Sequence, residues 1–185
     1  MADPATERRI AECGRALAIA CVKAMTVGNA VNLPTMVAGC SRMSGSYLLR
    51  SFGLDLSAIP PGHVVLSAKA GEQTSMLLRF CASMLQTLGT NIVGAPASLE
   101  EQRNGLKQDF LEAQRTLEPV FGPLMAQYAL DNEQMAKAAA LATGALIHQV
   151  AKRMDPVVGF SYAAYGFTEG ARTVPLSLTC GSNAA

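Results

Sequence analysis

The chain has 185 residues, half of them hydrophobic and 16% charged, with a formal net charge of +1. A chain of this length can bury roughly 70% of the surface its unfolded form exposes, so it folds as one domain without a disulfide or metal staple. Its composition excludes the disordered class. Its near-neutral charge excludes a global pull toward nucleic acid or acidic membranes.

Local charge is less even. Residues 1–99 carry 8 basic and 5 acidic side chains, residues 100–133 carry 3 and 7, and the remainder carries 4 and 2. Between Cys13 and Leu54 there are four basic residues, Arg15, Lys23, Arg42 and Arg50, and no acid. Such residues are expected to form solvated faces, with a recognition patch as the alternative. Tryptophan is absent, and alanine, leucine, methionine and glycine are plentiful. That mix favours helices over strands.

In chain order, Thr6 is read as the N-cap of a first helix. Its face runs Ile10, Gly14, Leu17, Cys21, Ala24, at spacings of four and three. Gly28 and Asn29 end it. Asn32 caps a second helix, with Pro34 in the first turn, where proline is tolerated. Met36, Cys40, Met43 and Tyr47 carry the rhythm to Phe52. Pro60-Pro61-Gly62 is a turn. A third helix is predicted from about Lys69 to Leu88.

Ser98 and Glu101 make a capping box that opens a fourth helix, with Leu99, Leu106, Phe110 and Leu117 on its face. Pro119 and Pro123 are expected to interrupt it and leave a separate short helix over Leu124 to Leu130. Asp131 and Gln134 cap a last long helix that ends before Asp155-Pro156. The tail holds Phe160, Tyr162, Tyr165 and Phe167 within eight residues. It reads as two short extended segments around Gly170, with Pro175 disfavouring a central strand. Tyrosines with a polar tip suit interfaces, so these four aromatics are candidate contacts with a partner subunit.

Spacings that carry catalysis or ligand binding are scarce. No Walker loop and no G-x-G-x-x-G fingerprint occurs. The two histidines, His63 and His148, stand in no metal-ligand spacing. His63 is read as exposed in its turn, and His148 as a partly buried structural residue. A Ser-His-Asp arrangement around His63 and Asp55 has no G-x-S-x-G to support it. The five cysteines, Cys13, Cys21, Cys40, Cys81 and Cys180, form no C-x-x-C. Cys13 and Cys21 fall about 12 Å apart along a helix, beyond the roughly 7 Å that a disulfide spans. They read as reduced core thiols. The expectation is no metal, no cofactor and no catalytic residue. The opening MADPATERR has no apolar signal core, and no apolar run approaches the ~20 residues that cross a bilayer. A cytoplasmic protein without a membrane partner is therefore expected.

One stretch, LPTMVAGCSRMSGSYLLRSF at residues 33–52, allows two architectures. Val37-Ala38, then Met43-Ser44-Gly45-Ser46-Tyr47-Leu48, with Arg50 and Phe52 after them, resemble the helix-turn-helix of the arabinose-regulator family of bacterial activators. The resemblance covers about 20 residues, with Arg42 at the turn glycine and Ser41 at the preceding apolar position. It implies DNA recognition, with Arg42, Ser46 and Arg50 as candidate nucleic-acid contacts. The other architecture is one helix whose small residues Ala38, Ser41 and Gly45 form a flat stripe for close helix packing. Gly14 and Ala18, and Ala140 and Gly144, offer matching stripes.

The resulting expectation is an all-α fold, an irregular bundle of five to six helices, with room for a minor extended or hairpin element at the C-terminus. The bundle would cover residues 5–155. Residues 156–185 would be an aromatic tail lying on it or on a partner subunit. Functionally this reads as a non-catalytic, homodimeric interaction or regulatory protein. The alternatives are a DNA-binding regulator using residues 34–52, or a binder of a small apolar ligand.

Overall fold

The computed structural model describes residues 3–66, 68–93 and 104–176. The Ser98–Glu101 capping box, Leu99 and Cys180 lie outside the described residues. The described chain is an all-α bundle of helices α1 (Pro4–Met25), α2 (Leu33–Ser51), α3 (Ala68–Thr87), α4 (Phe110–Gln127), α5 (Asn132–Val150) and α6 (Pro156–Gly170).

Local chemistry explains most boundaries. Helix α1 begins at Pro4 behind Asp3, whose side chain accepts from the Ala5 N–H; the cap is Asp3 and not Thr6. It stops at Met25, before a tight turn in which Val27 and Ala30 exchange backbone hydrogen bonds around Gly28 at φ +61°. The Asn32 side chain accepts from the Thr35 N–H at 2.9 Å and starts α2. Asp131 and Gln134 cap α5 reciprocally, as read from the sequence.

Helix α2 is the axis of the bundle. Sixteen of its 19 residues are buried, because α4, α5 and α6 all pack against it. Helix α1 lies on α4 and α5, and α3 lies on α5 and α6. Glycines set the closest approaches. A Cβ on Gly45 would stand 2.5 Å from the Phe167 carbonyl oxygen and 2.6 Å from the Ala171 nitrogen. A Cβ on Gly166 would collide with Ser41 Oγ, and one on Gly170 with the Arg42 carbonyl. The flat stripe Ala38/Ser41/Gly45 therefore meets Gly166 and Gly170 of α6. The other small-residue stripes have different neighbours. Gly14 abuts the Ala138 carbonyl of α5, and Gly144 abuts Cys81 and Met84 of α3.

Three sequence expectations need correction. Residues 110–127 are one helix that runs through Pro119 and Pro123. Proline removes an N–H and frees the carbonyl four residues back. Here Arg115, Pro119 and Pro123 are all exposed, so the freed carbonyls of Arg115 and Pro119 face water. The capping pair of this helix is Asp109 with Glu112, and residues 105–109 are not helical. The aromatic tail is helical as well: Pro156–Gly170 forms α6, capped by Asp155. Among the described residues, extended pairing there involves residues 172–174, which bond to residues 62–65 around a Val64–Thr173 bridge. Finally, His148 is exposed, with Nδ1 2.7 Å from the Thr90 hydroxyl.

Candidate functional site

Helix α2 carries two arginines into the bundle, and each finds its acid far away in the sequence. Arg50 donates from Nη1 and Nη2 to the two carboxylate oxygens of Glu118 on α4, both at 2.8 Å. The Tyr47 hydroxyl donates to the same carboxylate at 2.9 Å, and Gln114 Nε2 donates to it at 3.3 Å. The Arg50 guanidinium also lies over the Tyr47 ring, 4.6 Å from its centroid. Burial pushes the Glu118 carboxyl up, but Arg50 and Tyr47 together outweigh it and hold the group below its ordinary value. Burial, and then the Glu118 charge, push the Tyr47 phenol up. Gln114 Oε1 accepts from the Leu176 N–H at 2.8 Å, which ties the C-terminal segment to the same network.

Arg42 lies eight residues earlier on α2, about 12 Å along the axis, and is 3% exposed. Its Nε donates to Glu169 Oε2 of α6 at 2.5 Å, and its Nη1 donates to the Gln108 carbonyl at 2.8 Å. Glu169 Oε1 takes the Tyr165 hydroxyl at 3.0 Å. The Arg42 guanidinium lies 5.8 Å from the Tyr165 ring centroid, near the limit of an effective cation–π contact. Arg42 Nη2 makes no hydrogen bond among the described residues.

This guanidinium forms part of the wall of an open cleft of about 320 Å³, which Leu106, Lys107, Gln108, Asp109, Tyr165 and Glu169 also line. The non-helical segment 105–109 forms one side of the cleft. It is anchored by the Lys107 N–H, which donates to Thr35 Oγ1 at 2.9 Å, and by Gly105, where a Cβ would overlap the Tyr162 hydroxyl. Lys107 and Gln108 also line a second cavity of about 530 Å³, beside Met25, Val27, Val31, Asn32 and Thr35. Gln108 Oε1 is buried without a hydrogen-bond partner.

The segment that resembles a helix-turn-helix has no turn, since Leu33–Ser51 is one continuous helix. Ser46 is fully buried, Arg42 nearly so, and the Arg50 side chain is 12% exposed. None of the three stands on a surface that a DNA groove could receive. Of the four tail aromatics, Tyr162 and Phe167 are in the chain's own core, while Phe160 and Tyr165 are half-buried. Arg15 and Lys23 are exposed on α1, as the solvated-face reading expects, whereas Arg42 and Arg50 depart from it because α2 is buried and each is held in an ion pair.

Cys13, Cys21, Cys40 and Cys81 are all buried free thiols. Burial pushes the Cys13 thiol up to about 12 and raises Cys81 as well. Cys21 is raised by a hydrogen bond with Cys40 and then by burial. Thiols so held stay protonated and are poor nucleophiles. Among the described residues no group of three or more His, Cys, Asp or Glu could hold a metal ion, and no helix is long and apolar enough to cross a membrane.

The sequence pointed to Arg42, Arg50 and Tyr165 but not to Glu118, Glu169, Lys107 or Gln108. A signal for the acids was present. Two helical arginines with no acid between Cys13 and Leu54 must find their counter-ions elsewhere if the helix is buried. No family model, no curated protein and no solved structure matches the chain.

Proposed function

We propose that the protein is a non-catalytic helical binding protein of the interaction or regulatory class, with the Arg42 cleft as its binding site. The observation that carries this reading is that concave opening. It presents charged and polar groups to solvent on a rigid wall, and its buried guanidinium is already oriented by Glu169 and the Gln108 carbonyl. Preorganised polar groups around a pocket of this size are what small-ligand recognition requires. Against catalysis stand the protonated thiols and the Glu118 carboxylate, which is saturated by internal donors.

A thermal-shift screen of chemically diverse small metabolites, followed by analysis of each hit after incubation, tests the reading. A saturable ligand recovered unchanged supports it. A hit consumed with turnover would contradict the non-catalytic assignment, and a screen without saturable ligands would contradict the binding assignment.

Self-association and a cytoplasmic setting belong to the same proposal. The exposed apolar side chains of Val64 and Leu66, two apart on one extended segment, are the surface that supports a dimer. Sedimentation velocity of the full chain decides between dimer and monomer.

A further inference from the structure

We infer that the Arg42 cleft takes a small zwitterion of the α-amino-acid class, with the ligand carboxylate on Arg42 Nη2 and Lys107 and its ammonium on the Asp109 carboxylate. This inference rests on the cleft being a ligand site, as proposed above.

Arg42 and Lys107 contribute two positive charges to the lining of the cleft, and Asp109 and Glu169 two negative ones. A simple anion would gain the cations and be repelled by the acids, and a simple cation would meet the reverse. A ligand carrying both signs close together gains from both sets and loses to neither.

The second observation is an unused donor. Arg42 spends Nε on Glu169 and Nη1 on the Gln108 carbonyl. Its remaining nitrogen has donors for a carboxylate, and the exposed Lys107 can fold onto the same group.

Size and polarity agree. About 320 Å³ is at the small end of ligand pockets, the range of an amino acid and not of a nucleotide or cofactor. Leu106 and the Tyr165 ring give the lining an apolar element that an aliphatic or aromatic side chain would cover.

The experiment is calorimetric titration of the full chain with the standard L-α-amino acids, up to about 10 mM. Each binder is then compared with its deaminated acid and its decarboxylated amine, for example L-alanine against propionate and ethylamine. At least one amino acid is expected to saturate, with both truncated analogues weaker by roughly tenfold or more, the loss of one charge-assisted hydrogen bond. Lys107→Met removes an exposed side chain whose backbone N–H still anchors the segment, so the fold is retained. It is expected to weaken the amino acid by roughly tenfold.

Absence of saturation by every amino acid overturns the inference, and so does unchanged affinity in Lys107→Met. Equal binding of the acid or the amine also overturns it, while leaving the cleft a binding site for that simpler ion. A saturable ligand from outside the amino-acid class in the metabolite screen, with no amino acid saturating, would overturn this inference and leave the cleft a ligand site.

Discussion

At the scale of single residues, the polar side chains of α2 are unequal. Ser41 and Ser44 donate to the carbonyls of Ala38 and Ala136, at 3.0 and 2.7 Å. Ser46 is equally buried but its hydroxyl has no partner. An orphan buried hydroxyl costs roughly 1–3 kcal/mol. Ser46→Ala is therefore expected to stabilise the fold by about 1–2 kcal/mol, read as a higher urea midpoint at unchanged slope; a lower midpoint would mean that the hydroxyl is bonded. Glu118 stands at the opposite extreme, with Arg50, Tyr47 and Gln114 all donating to it. Glu118→Gln leaves Arg50 buried and unpaired and should cost about 3 kcal/mol at neutral pH. Because the folded carboxyl titrates below its ordinary value, its contribution is complete above the unfolded value of about 4.3 and is lost as pH falls through the folded one. Denaturant melts between neutral pH and about pH 3 should show the wild type losing stability in this window and Glu118→Gln losing less. Parallel curves for the two proteins would remove Glu118 from the acid limb.

Among elements, glycine spacing decides which helices can touch. Gly45 faces Phe167 of α6 and Ala171 at its C-terminal cap across backbone atoms, which cannot move aside as a side chain can. Gly45→Ala should therefore destabilise by about 1–3 kcal/mol through overpacking. Gly122 lies within α4, where an added methyl would meet nothing inside 4 Å. There Gly122→Ala should stabilise by about 0.5–1 kcal/mol from helix propensity alone. Thermal melts of the two variants must shift in opposite directions; a shift of the same sign would show that the α2–α6 contact is looser than the close approach described. The same elements show what a sequence can reveal. Helices α2 and α5 were legible because their caps and apolar phase are local properties, and α3 was legible from its apolar phase. Helix α4 was obscured because proline reads as a breaker unless its freed carbonyls reach water, and that depends on which side of the helix the bundle covers. Helix α6 was obscured because aromatics, glycines and small residues carry no clear 3.6-residue rhythm. Its glycines serve contact with α2, a tertiary requirement that overrides local preference.

For the whole molecule, the all-α bundle followed from composition and periodicity, whereas the candidate site did not. Arg42 and Glu169 are 127 residues apart in the chain, and Arg50 and Glu118 are 68 apart. No local pattern joins them; only the central position of α2 brings α4 and α6 to its two arginines. The burial of the whole stretch Met36–Leu49 is therefore the premise from which the ion pairs, the cleft and the exclusion of a groove-reading role for this segment all derive. Native-state amide hydrogen exchange measures that premise directly. If α2 is one helix at the centre of the bundle, the amides of residues 37–49 should be the slowest class, opening only with global unfolding and without a gap at Arg42 to Gly45. Fast exchange confined to residues 41–45 would instead mark a turn there and contradict the single buried helix.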